Sequence, residues 1–167
     1  MTESDCKQTI DGLFKCAINI ERKASDIYKE LADLFFLIPK VAAFWNGLSK
    51  DEIVHMEMLQ NIYKSLTKEQ LLSLSDEKIW DDIIKIQNIL NKDLIGSIKN
   101  LDDAYELAHE IEFSEINAIF QFLATKFVPS EERKKFVISE IKQHQQKLSD
   151  FSNNFGDRYW RRKISIL

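Results

Sequence analysis

Trp45-Asn-Gly-Leu48-Ser-Lys-Asp-Glu52-Ile-Val-His55-Met-Glu-Met-Leu59 is the stretch that decides the fold. Its apolar positions run on to Ile62 in steps of three and four, the spacing of one helical face. Glu52 and His55 stand in register with Trp45, Leu48, Leu59 and Ile62, so both polar side chains point where a core should be. A bare carboxylate costs roughly tens of kcal/mol to bury in the Born limit, unless it is paired or bound to a cation. Glu52 therefore needs compensation, and a metal ion shared with His55, one turn away, supplies it. The alternative is a surface ion pair, which conflicts with the apolar face on which the two residues fall.

The rest of the chain bounds this reading. At 167 residues it is long enough for one domain with a sizeable core. Four glycines and two prolines among abundant Leu, Ile, Lys and Glu argue for long helices and few turns. A net charge of -4, with no strongly basic region before the tail, does not favour nucleic acid. No apolar run approaches the roughly 20 residues of a membrane span, and the polar N-terminus lacks the apolar core of a signal peptide. The expectation is a soluble cytoplasmic protein. Cys6 and Cys16 form no C-x-x-C unit. On one helix they would lie roughly 15 Å apart, so they are expected to be reduced thiols.

Four long periodic segments stand out. The first, about Cys6 to Phe36, carries the stripe Ile10, Phe14, Ala17, Glu21, Ala24, Tyr28, Leu31, Phe35 and is ended by Pro39. The second runs from about Lys40 to Ser65. The third spans about Leu101 to Phe127. The fourth opens at Ser130, an N-cap followed by Glu131 and Glu132, and runs to about Asn153, with Gly156 as its stop. Between the second and third lie about 35 residues, Leu66 to Asn100, with a shorter pattern Ile79, Ile83, Ile86, Leu90, Leu94. One long crossover there, with short links elsewhere, predicts an all-α, ferritin-like antiparallel four-helix bundle over residues 1–154. Residues 155–167, with Arg158-Tyr-Trp-Arg-Arg-Lys163, form a basic and aromatic tail read as packing on the bundle.

Each long helix places an ionisable residue in its apolar stripe: Glu21, then Glu52 with His55, then Glu112, then His144. All lie near mid-helix, so a bundle brings them to one depth. Carboxylates and imidazoles together suit iron, manganese or zinc. Glu106 and His109 repeat the Glu-x-x-His spacing, on a face that includes Phe113 and Phe120 but also Asp102 and Asn117 and reads as mostly solvated.

Four segments together carry a resemblance. They are Ala17-Ile-Asn-Ile-Glu21 with Tyr28-Lys-Glu-Leu-Ala32; Trp45 with Leu48-Ser-Lys-Asp-Glu52-Ile-Val-His55; Ala108-His-Glu-Ile-Glu112; and Glu140-Ile-Lys-Gln-His144. In this order they resemble the four helices of the rubrerythrin-type, ferritin-like diiron-carboxylate proteins, over about residues 7–153. The resemblance implies a dinuclear, iron-containing site. Glu21 and Glu112 are then terminal ligands, Glu52 bridges, and His55 and His144 cap one metal each. Glu52 and Tyr28 are the candidate catalytic residues, with Tyr28 in the core and its hydroxyl near Glu21 or Glu112. The implied activity is reduction of hydrogen peroxide or O2, or oxidation of ferrous iron. A side-by-side homodimer is also expected.

The chain departs from the family pattern twice. Ile141 stands three residues before His144, where the pattern asks for a bridging glutamate. Glu140 is the nearest substitute, roughly 40° from His144 around the helix and on the other side from Ile141, so using it requires a local rotation or bulge. Glu115 is a second possible substitute. The rubredoxin-like C-x-x-C pairs of rubrerythrins proper are also missing, so electrons must come from an external donor, rubredoxin-like or similar. The alternative is a degenerate relative that binds one metal or none and serves a structural or interaction role.

Overall fold

A computed structural model describes residues 8–90, 94–113, 116–128 and 130–166, with the Ile116 side chain excluded. The described residues are helical apart from short links and two isolated bridges, Thr9 with Leu74 and Asn100 with Ser165. The long helices α1 (Ile10–Leu34) and α2 (Pro39–Ser65) form the first pair. The crossover carries α3 (Lys68–Leu72), α4 (Glu77–Leu90) and a 3-10 turn at Ile95–Ser97. Then follow α5 (Leu101–Glu112), α6 (Ile116–Lys126), α7 (Glu131–Ser149), α8 (Phe151–Phe155) and α9 (Arg158–Arg161). With α5 and α6 acting as one leg, α1, α2, α5–α6 and α7 make the four-helix bundle, and the single long connection lies between the second and third legs.

Local chemistry fixes the ends. Thr9 caps α1 by accepting from the Gly12 amide, and Pro39 opens α2 at a position where its missing N–H costs nothing. The short link 35–38 forces α2 back along α1, and this pair is the largest interface in the fold. Between them lie Phe14, Tyr28, Leu31, Trp45, Leu48 and Leu59, all fully buried. Each such side chain stabilises the fold by about 1.5–3 kcal/mol. In the crossover, α4 lays Trp80, Ile83, Ile86 and Leu90 on α1 and α6. Of the pattern expected to reach Leu94, Glu77–Leu90 is helical and Leu94 is not; residues 91–93 lie outside the described set.

Two expectations are corrected. The third segment is not one helix: α5 ends at Glu112, with the Phe113 amide bonded back to the His109 carbonyl at 3.0 Å, and α6 restarts at Ile116. The Asn117 side chain donates to the Glu112 carbonyl at 2.6 Å, supplying a partner to a helix-end group. Cys16 is disulfide-bonded rather than a reduced thiol. The expectation assumed both cysteines on one helix, whereas α1 starts at Ile10; Cys6 lies outside the described residues.

The C-terminal segment is held by one buried acid. Asp102, in the first turn of α5, accepts from Arg158 Nε at 3.0 Å, Arg161 Nε at 3.2 Å and Arg162 Nε at 3.2 Å. The buried Arg161 guanidinium also lies over the Tyr105 ring and donates to the Gly156 carbonyl at 2.9 Å. Gly156 has φ 80°, and a Cβ there would meet Trp160 Cβ at 3.1 Å, so this turn needs glycine. Among the described residues no helix is long and apolar enough to cross a membrane.

Candidate metal centre

Glu21 projects from the middle of α1, Glu52 and His55 from α2, Glu112 from the last position of α5 and His144 from α7. All five are buried at 2–3% exposure. One turn from Glu21 and Glu52, Ser25 Oγ donates to the Ser49 carbonyl at 3.0 Å and lies 2.9 Å from Ser49 Oγ. This link pins α1 to α2 beside the acids. On the far side, Lys147 on α7 meets Asp51 on α2 at 2.6 Å, setting His144 against Glu52.

The side chains converge. His55 Nδ1 is 2.9 Å from Glu52 Oε2 and 3.8 Å from Glu21 Oε2, the second contact being electrostatic rather than a hydrogen bond. His144 Nε2 is 3.4 Å from Glu112 Oε1 and 3.7 Å from Glu52 Oε1. Ligand atoms of Glu52, His55 and His144 all lie within 4.8 Å of one another. The Tyr28 hydroxyl donates to Glu112 Oε1 at 2.5 Å, and Asn117 donates to Glu112 Oε2 at 3.2 Å. Trp45 stacks on Tyr28 at 6.2 Å, and Phe120 packs 4.4 Å from the His55 ring, closing the pocket in apolar surface.

Burial pushes the Glu52 carboxyl up, opposed by His144 and by the hydrogen bond to His55. Burial also opposes charge on His55, but its attraction to Glu21 and Glu52 outweighs this and raises it to about 10. Glu112 is raised to about 7, by burial first and by the Glu52 charge second. Tyr28 is raised well above 10 by burial and by the nearby Glu112 and Glu52, so it stays protonated.

Buried polar atoms ordinarily have partners. Here Glu21 Oε2 and both ring nitrogens of His144 have none. Two imidazoles and a carboxylate, buried with ligand atoms within 4.8 Å of one another, fit a divalent cation of the iron, manganese or zinc class.

Residues 13–151 match the family model for rubrerythrin. The chain belongs to the rubrerythrin family. Comparison with individual curated proteins and with solved structures gives no match. The matched range includes Glu21, Glu52, His55, Glu112 and His144.

Of the residues singled out in the sequence, the rubrerythrin bundle thus brings together these five and Tyr28. Glu140 is half-buried on α7 and takes no part in the ion pairs that join the others, while Ile141 is buried. Glu115 lies outside the described residues. Glu106 and His109 are exposed, Glu106 pairing with Arg158 at 2.9 Å and His109 stacking on Phe113. Their supposedly solvated companions Asp102 and Asn117 are instead buried. Asn117 is a contact of Glu112 that a continuous helical spacing misplaces, since α5 ends at Glu112. The Ser25–Ser49 link was also missed; small hydroxyl residues one turn from each buried acid are the signal that pointed to it.

Proposed function

We propose that this chain is a non-haem metal-carboxylate redox protein that reduces peroxide or O2, or oxidises ferrous iron, with electrons from an outside donor. The observation that carries the reading is the clustering of Glu52, His55 and His144 ligand atoms within 4.8 Å, with both His144 ring nitrogens and Glu21 Oε2 lacking hydrogen-bond partners, in a chain of the rubrerythrin family. Glu52, His55 and His144 would hold the metal, with Glu21 beside them and Glu112 across the cluster. Iron, when bound, supplies the one-electron exchange with O2 or peroxide that side chains cannot perform.

The residues around it do the rest. A groove of about 340 Å3 lined by Glu112, Asn117, Ile141, Gln121, Lys142 and Gln145 borders Glu112, a volume that can hold a small oxidant. Tyr28 keeps its proton and holds Glu112 by a short hydrogen bond. Reducing one hydrogen peroxide to two waters consumes two electrons and two protons. A rubredoxin-like protein or a similar external donor would bring the electrons. Ile141 favours a second reading, a degenerate relative with one metal or none.

The test is reconstitution of the full chain with ferrous iron, followed by peroxide- and O2-dependent oxidation of a reduced donor. Metal-dependent turnover that disappears in Glu52→Ala supports the proposal. A folded, reconstituted protein that holds no iron, manganese or zinc and turns over nothing defeats it.

A further inference from the structure

We infer that this site holds one metal ion in a two-histidine set, Glu52, His55 and His144 with Glu21 alongside, and that a hydrogen-bonded Tyr28–Glu112–Asn117 unit with Ile141 replaces the second ion. The inference rests on the metal-binding reading above and replaces the dinuclear site implied by the family resemblance with a mononuclear one.

Three observations carry it. In a paired site the ions stand about 3.5–4 Å apart, and the family pattern gives each its own histidine. Here both histidines and Glu52 fall in one cluster no wider than 4.8 Å. Ligand atoms about 2.1 Å from one ion are at most about 4.2 Å apart, so closing the cluster on a single ion takes a shift of about half an ångström. The Glu112 end already has a hydrogen-bond donor on each oxygen. Its Oε1 accepts from Tyr28 and its Oε2 from Asn117, two neutral donors of the chain's own. Among the described residues, the orphaned buried atoms of the cluster fall on Glu21 and His144 and not on Glu112. Last, buried Ile141 borders the same groove as Glu112, so an apolar side chain stands where a second bridge would have to reach, and Glu140 stays outside the ion-paired cluster.

Two imidazoles and a carboxylate around one ion, with positions left open, are the donor set of mononuclear non-haem iron(II) sites, and zinc and manganese suit it as well. Asn117 is available for this arrangement only because the third leg breaks after Glu112; a continuous helix would leave that carboxylate without its second donor.

Anaerobic titration of the metal-free full chain with cobalt(II) tests the inference, read by visible absorption and by elemental analysis after dialysis. One cobalt per chain is expected, with affinity lost at least a hundredfold in E52Q and H144A and changed less than threefold in E112Q. Two cobalt ions per chain, falling to one in E112Q, overturn the inference while leaving the metal-binding reading intact. One ion that is lost in E112Q also overturns it, since Glu112 would then be a ligand. No binding by the folded wild type defeats both. Should E112Q fail to fold, the wild-type stoichiometry still decides between one ion and two.

Discussion

Metal binding at this site must expel a proton from His55. In the metal-free protein the attraction of Glu52 and Glu21 raises His55 to about 10, so at pH 7 the ring is a cation. A ligating imidazole must be neutral. Three pH units below that value, removing the proton costs about 4 kcal/mol at 1.36 kcal/mol per unit, or about a thousandfold in apparent affinity. The sign is definite: the metal competes with a proton, so affinity rises with pH. Between pH 6.5 and 8.5 the apparent zinc affinity should climb about tenfold per unit, with about one proton released per ion from this group. Calorimetric titration in two buffers of different protonation enthalpy counts the protons directly, and competition with a chelator of known affinity gives the pH slope. A flat pH profile with no proton released would refute the reasoning, because His55 would then not be both protonated and a ligand.

The metal-free protein should lose stability as pH rises. Glu112 is raised from 4.5 to about 7 and His55 from 6.5 to about 10, so both contributions are complete below the lower value and lost through the upper one. Urea unfolding at pH 5, 7 and 9 should show a falling midpoint across that window. Tyr28→Phe keeps the stack on Trp45 but removes the donor to Glu112, and should destabilise the fold by about 2 kcal/mol in denaturant melts while leaving the metal content unchanged. Asp102→Asn leaves Arg161 buried beside a neutral group and should cost about 3 kcal/mol, measured the same way; the exposed Arg158 and Arg162 contribute little to that figure.

The bundle and most of its centre were legible because period alone places them. Glu21, Glu52, His55 and His144 stand in apolar stripes, and once a helix buries a stripe it buries the acid with it. The long crossover was visible as a gap between periodic segments. What period cannot show is where a helix gives up its main-chain bonds. The run from Leu101 to Phe127 keeps its apolar spacing straight through Glu112, yet α5 ends there and the Asn117 side chain donates to the Glu112 carbonyl. That break also explains why Asn117 was read as solvated. Asp102 was misread for a different reason: its arginines come from the tail, some 56 to 60 positions away, and no local pattern announces such a pairing. Ile141 was legible as a departure, but its meaning came from the Glu112 end, where Tyr28 and Asn117 already occupy the carboxylate.

The most direct test is an anomalous-scattering map from crystals of the iron-loaded chain. The account predicts one strong peak per chain among Glu52, His55 and His144, about 2.0–2.3 Å from their ligand atoms. An empty map at that point, in crystals whose protein is folded and whose solution holds iron, would contradict it.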